Sequence, residues 1–269
     1  VGTVRLGSNT GAAAEALRQL RTNLRFVSVD NPARCIVVTS SMEGEGKSTT
    51  AAHLASLLAE SGQPTILVDA DLRRPVQAGH FGVDGAVGLT EVLAGSMELE
   101  QGLVQSANKN LLLLPAGRIP PNPSELVGSG RMQSLLTRLR KTHMVIVDAP
   151  PLLPVTDAVL LTAAADGAIL VVQQGKTRIE QVELASRRLE QVEGKLLGVV
   201  LNQVPPKDLG AATFGYGYGY ADYASKYYRA EEQDATPKVN GCPRRARASV
   251  TPLHDPSTEV ASPAEMQTS

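Results

Sequence analysis

A doubly wound α/β fold, with a mostly parallel sheet and helices on both faces, is the architecture this sequence predicts. Three observations predict it. Six apolar runs recur through the first two hundred residues, and they are too uniformly apolar to keep a wet face. Helical segments alternate with the runs, as a parallel sheet requires. The residues that carry recognisable chemistry follow directly on the ends of these runs, where open α/β sheets bind ligands.

The elements are read in order. Residues 11–27 are a helix, with Leu17, Leu20, Leu24 and Val27 at helical spacing. Cys35–Val38 is a first strand, leading through a glycine-rich loop into a helix over Thr49–Glu60 that Gly62 ends. Thr65–Val68 is a second strand, closed by Asp69. Leu111–Leu114 is a third, followed by Pro115-Ala116-Gly117 and a helix over Arg131–Arg140. Met144–Val147, ending in Asp148 and two prolines, is a fourth. Ala168–Val172 is a fifth, before a charged helix over Ile179–Val192, and Leu196–Leu201 is a sixth, ending in Asn202.

Beyond Val204-Pro205-Pro206 the composition changes. The organisation read from this is one α/β domain over residues 1–205, a Gly/Tyr-rich segment over 206–229, and a polar tail over 230–269 that is expected to be disordered. All six tyrosines, Tyr216, Tyr218, Tyr220, Tyr223, Tyr227 and Tyr228, fall in the middle segment. With no tryptophan and three phenylalanines the core must be aliphatic. A net charge of −1 gives no electrostatic reason to expect nucleic acid. Cys35 lies in an apolar run and reads as a small core residue, while Cys242 lies in the polar tail. Two such cysteines make no disulfide framework, so a reducing compartment, the cytosol, is expected. His53, His80, His143 and His254 have no ligand spacing, and no histidine-bound metal is predicted. No apolar run has the length of a membrane span, and the start at Val1 leaves room for an upstream segment.

Ser41-Met42-Glu43-Gly44-Glu45-Gly46-Lys47-Ser48-Thr49 has the form of a phosphate-binding P-loop. Such a loop turns backbone N–H groups inward, which Gly44 and Gly46 permit by adopting positive φ. Residues Glu43 to Thr49, with Asn202 at the last strand end, are the expected nucleotide-binding set. Lys47 would reach the β- and γ-phosphates of ATP, and the Ser48 hydroxyl would bind Mg²⁺. Asp148 closes a buried strand as the carboxylate that meets Mg²⁺ in this class, and Asp69 and Asp71 close another. Taken alone, an aspartate after a strand is an ordinary turn residue. Two such ends beside a P-loop favour the metal reading. The fold class is therefore a P-loop NTPase.

The run Ile66–Pro75, ILVDADLRRP, together with the P-loop, resembles the bacterial protein-tyrosine kinases (BY-kinases) of capsule and exopolysaccharide systems. Glu15-Ala-Leu-Arg18-Gln-Leu-Arg21, Pro115-Ala-Gly117, Asn122-Pro-Ser-Glu125-Leu, Asp148-Ala-Pro-Pro151 and the tyrosine-rich tail match as well. The resemblance implies that Lys47, Ser48, Asp71 and Asp148 hold MgATP and that Asp69 assists deprotonation of a tyrosine hydroxyl. It gives Arg73 and Arg74 a helping role at the γ-phosphate. It also implies autophosphorylation in trans on the tyrosine cluster. Glu15, Arg18 and Arg21 then meet a neighbouring subunit in a homo-oligomeric ring. Further expected partners are a transmembrane activator or polysaccharide copolymerase at the inner face of the membrane, protein substrates bearing tyrosine, and a cognate phosphatase. Two departures are evident: Glu43 replaces a frequent proline, and Ser41 a glycine or alanine. Two other readings stay open. A partitioning or septum-placement ATPase shares the fold but carries a signature lysine where Met42 stands. A non-catalytic ATP-sensing regulator would use the same binding residues.

Overall fold

The computed structural model describes residues 12–26 and 32–205; the tyrosine cluster, Cys242 and the polar tail lie outside them. A seven-stranded sheet organises the described chain: β1 (Cys35–Ser40), β2 (Thr65–Asp69), β3 (Val104–Gln105), β4 (Leu111–Leu114), β5 (Met144–Asp148), β6 (Gly167–Gln173) and β7 (Leu196–Asn202). The spatial order is β3-β4-β2-β5-β1-β6-β7. All pairings are parallel except β3 with β4. The central strand β1 therefore has β5 on one side and β6 on the other, and the chain leaves it into the glycine loop.

Alternation along the strands divides the core between two faces. Ile36, Val38, Leu67, Ile146, Ile169 and Val171 pack against α2 (Lys47–Glu60). Cys35, Val37, Val68, Val145, Val147 and Leu170 pack on the opposite side. That side is covered by α4 (Leu89–Ala94), α7 (Gly130–Leu139), α8 (Asp157–Ala164) and α9 (Ile179–Glu190). Cys35 is the buried core residue expected, its thiol pushed up to about 12, chiefly by burial. Helix α1 (Ala12–Phe26) packs on α2, with Leu24 against the same face of the core.

Helix α2 is alanine- and leucine-rich without an internal glycine or proline, and its buried residues run almost all round it. Its end is a Schellman turn: Gly62 has φ 85°, its N–H bonds the Ala59 carbonyl, and the Gln63 N–H bonds Leu58. Each leucine buried here, such as Leu54, contributes roughly 1.5–3 kcal/mol.

Three differences from the sequence reading have physical causes. Strand β7 is not buried on both faces: it is the sheet edge, and Val199 and Leu201 are 49% and 50% exposed. Its apolar run looks like that of a central strand, because neighbours are not written in a run. Strand β3 and the short helices α3 (Gln77–Phe81), α4, α5 (Leu99–Gly102) and α6 (Pro123–Val127) are too brief to show a period. Helix α8, built mostly of Ala, Leu and Val, has no polar stripe to reveal it. Among the described residues no helix is long and apolar enough to cross a membrane.

Candidate nucleotide site at the strand ends

The loop after β1 is built as a phosphate cradle. Gly44 and Gly46 have φ 84° and 93°, the left-handed conformations a nest of inward N–H groups needs. Gly46 has a second reason to be glycine, since a Cβ there would lie 2.1 Å from Asn202 Nδ2. That amide donates to the Glu45 carbonyl at 2.9 Å, and Gln203 Nε2 to the Gly44 carbonyl at 3.3 Å. The Gly44 and Glu45 carbonyls of the loop are thus held by residues at and just beyond the end of β7.

Glu45 behaves differently from its neighbours in the motif. Its carboxylate is buried and turned into the protein. It accepts from the Ser41 hydroxyl at 2.8 and 2.9 Å, from the Met42 N–H at 2.9 Å, and from the Thr177 hydroxyl. Thr177 in turn accepts from the Gln173 N–H at the end of β6. Ser41 at the usual glycine position therefore has a partner, and the two residues brace the loop together. Glu43 is exposed and pairs with Arg74. Thr49 follows Ser48 in the first turn of α2.

Lys47 leads α2 toward three carboxylates. Its Nζ lies 2.7 Å from Asp71 Oδ2 and 3.7 Å from Asp148 Oδ1, and donates to Ser48 Oγ at 3.1 Å. Burial alone would lower its pKa, but Asp148 and Asp71 prevail and hold it above the ordinary value. Asp69 and Asp148 are register partners on adjacent strands, both fully inside. Asp69 accepts two backbone N–H bonds, from Val76 at 3.1 Å and Gln77 at 2.9 Å, yet its carboxyl is raised to about 8. Burial is the main cause and the Asp148 charge the next. Asp148 is raised by burial too, with Lys47 opposing.

The donor set suits a small hard cation. Asp148 Oδ1 and Asp69 Oδ1 are buried oxygens without hydrogen-bond partners, an arrangement that is costly unless positive charge is supplied. Among the described residues no three acidic, histidine or cysteine side chains form a ready-made metal cage. Mg²⁺ beside phosphates asks for less, one or two carboxylates plus ligand oxygens. Asp148, Asp71 and the Ser48 hydroxyl would hold it.

The predicted residues Lys47, Ser48, Asp69, Asp71 and Asp148 are brought together, with Asn202 against the loop. Arg73 is committed elsewhere: its guanidinium grips buried Asp157 at 2.9 Å and donates to Ser124, which itself donates to Asp157 at 2.6 Å. The Asn122-Pro-Ser-Glu motif thereby has a structural use, docking α6 and α8 on the loop after β2. Sequence reasoning missed Gln77, Thr177 and Asp157. None lies in a motif, and only the folded chain brings them to the site. On α1, Glu15 and Arg18 pair with each other at 3.0 Å, and Arg21 reaches the Leu57 carbonyl of α2 at 3.4 Å.

A glycine cradle, a lysine at its lip and carboxylates at two adjoining strand ends define a nucleotide-binding P-loop protein. The family model described as the CobQ/CobB/MinD/ParA nucleotide binding domain matches residues 36–213. Tyrosine-protein kinase YwqD of Bacillus subtilis (strain 168) is 44% identical over 190 residues, which is 70% of this chain and 80% of YwqD. Tyrosine-protein kinase CpsD of Streptococcus agalactiae is 37% identical over 216 residues, 79% of this chain and 92% of CpsD. The kinase domain of the Escherichia coli tyrosine kinase ETK superposes with a TM-score of 0.71 at 31% identity, covering 82% of this chain and 85% of that one. Within the nucleotide-binding family, then, the chain belongs to the bacterial tyrosine-protein kinases.

Proposed function

We propose that this chain transfers the γ-phosphoryl group of MgATP to tyrosine, and that Tyr216, Tyr218, Tyr220, Tyr223, Tyr227 and Tyr228 of a neighbouring copy are its first substrates. The observation that carries the reading is the convergence of Lys47 with Asp71 and Asp148 beside Asp69 at the paired strand ends. In the reaction the tyrosine oxygen bonds to the γ-phosphorus as the bridge to the β-phosphate breaks, releasing ADP. The phenolic proton passes to Asp69. Free tyrosine has a pKa near 10, so its proton needs a positioned acceptor, and Asp69 stands beside Asp148 at the paired strand ends. Mg²⁺, when bound, neutralises charge on the phosphates. Lys47 would add its positive charge at the same phosphates, and the loop amides would hold them.

Asp69→Asn tests the base: it should lower kcat by about 10²–10⁴-fold while nucleotide affinity changes little. Phosphorylation in trans is tested by mixing. A Lys47→Met chain with an intact tail should be phosphorylated by a chain whose six tyrosines are phenylalanine, and mass spectrometry should place the phosphate on residues 216–228. A ring built on Glu15, Arg18 and Arg21 goes with this reading. If a chain with all three replaced by alanine assembled and reacted like the parent, that part would be wrong. Control of capsular or extracellular polysaccharide export, through a transmembrane activator at the inner face of the membrane, is the setting the family suggests. Met42 speaks against the partitioning ATPase, since that position would need a lysine side chain.

A further inference from the structure

Gln77 lies outside every motif read from the sequence, yet it is 1% exposed and touches three parts of the site. Its Nε2 donates to Asp148 Oδ2 at 2.7 Å and to the Ser48 carbonyl at 3.0 Å. Its own backbone N–H donates to Asp69 Oδ2 at 2.9 Å. A carboxylate and a carbonyl only accept, so the amide has one orientation, nitrogen toward them and Oε1 away. That Oε1 is buried and has no partner. Asp69 Oδ1 and Asp148 Oδ1 are bare in the same way. The Lys47 ammonium, 3.7 Å from Asp148 Oδ1, is one positive charge against the three carboxylates of Asp69, Asp71 and Asp148, so three acceptors without hydrogen-bond donors still mark a local deficit of donors and positive charge. A hydrated divalent ion supplies both, its charge to a carboxylate and its water protons to the remaining oxygens.

We propose that Gln77 is a positioning residue for Mg²⁺. Its Nε2 holds Asp148 in the rotamer that meets the ion, and its Oε1 takes the proton of a water that the ion brings. The proposal rests on the reading of this site as a MgATP site. It separates Gln77 from a simple packing role, because its effect must run in part through Asp148 and must vanish without the metal.

The test is binding of a fluorescent ADP analogue by the full chain, in EDTA and across a Mg²⁺ titration. For Gln77→Leu the affinity in EDTA should stay within about twofold of the parent, which also reports that the loop is folded. The Mg²⁺ midpoint should rise roughly tenfold, as when other groups that orient a metal ligand are lost. In an Asp148→Asn background the same Gln77 change should shift the midpoint by less than in the parent, because only the Oε1 contact to the ion's water is left to lose, the non-additivity expected of coupled residues. An unshifted midpoint in the single variant overturns the proposal. So does an equal loss in EDTA, which would mark a structural role. A parent whose affinity ignores Mg²⁺ would instead overturn the MgATP reading itself, and this inference with it.

Discussion

Glu45 gathers three donors on one buried carboxylate, and at the residue scale it does more to shape the cradle than any side chain facing it. Glu45→Ala would strand the Ser41 and Thr177 hydroxyls and the Met42 N–H. It should cost about 1–3 kcal/mol in denaturant unfolding and weaken ATP binding in calorimetry, with Glu45→Gln intermediate. His53 offers a pH prediction. Burial, then the nearby His80, holds its pKa below the ordinary 6.5. The native chain thus resists a proton that the unfolded chain accepts. Its contribution is present above about 6.5 and is lost as pH falls toward the folded value. His53→Gln should therefore gain stability on the parent as pH falls from 7.5 to 5.5, read by urea midpoints at each pH. A constant difference would mean the imidazole does not titrate differently on folding.

Elements repay the comparison of Gly44 with Gly46. Both have positive φ, but only Gly46 has the Asn202 amide where a Cβ would stand. Gly44→Ala should cost about 1 kcal/mol, the strain alone. Gly46→Ala should cost more, and should also lose nucleotide affinity, because Asn202 must move from the loop. Thermal shift with and without MgADP compares the two. The sequence could announce these glycines, and it could place β1, β2, β5 and β6, because a doubly buried strand writes itself as an unbroken apolar run. It could also deliver Asp69 and Asp148, because each sits one step beyond such a run, Asp71 two residues after the first of them, and Lys47, because it closes a glycine-rich loop between a strand and a helix. It could not show Asp157 gripping Arg73, which joins chain positions 84 apart, nor that Glu45 faces inward. It gave no sign that β7 is an edge, since edge and centre differ only in neighbours.

For the whole molecule, the two faces of the sheet do unequal work. One face is closed chiefly by α2, with Leu24 of α1 and Phe81 of α3 at its margin, so the helix that carries Lys47 is also a principal wall of that core. Leu54→Ala, far from any phosphate, should cost about 2–5 kcal/mol. It should loosen nucleotide binding in proportion, whereas Leu136→Ala on the other face should cost similar stability with less effect on affinity. Paired denaturation and ADP-binding measurements check the contrast.

The clasp between Asn202 and the Glu45 carbonyl has a topological consequence. The stem of the tyrosine segment is rooted in the catalytic loop, and about 14 residues link Asn202 to Tyr216. Fully stretched, that leash spans roughly 50 Å. If copies assemble as proposed above, a tether of this length sets a high effective concentration of tyrosine near the neighbouring sites, whatever the protein concentration in the cell. Once subunits are assembled, dilution should leave the rate per chain unchanged; it should fall only when the assembly itself comes apart.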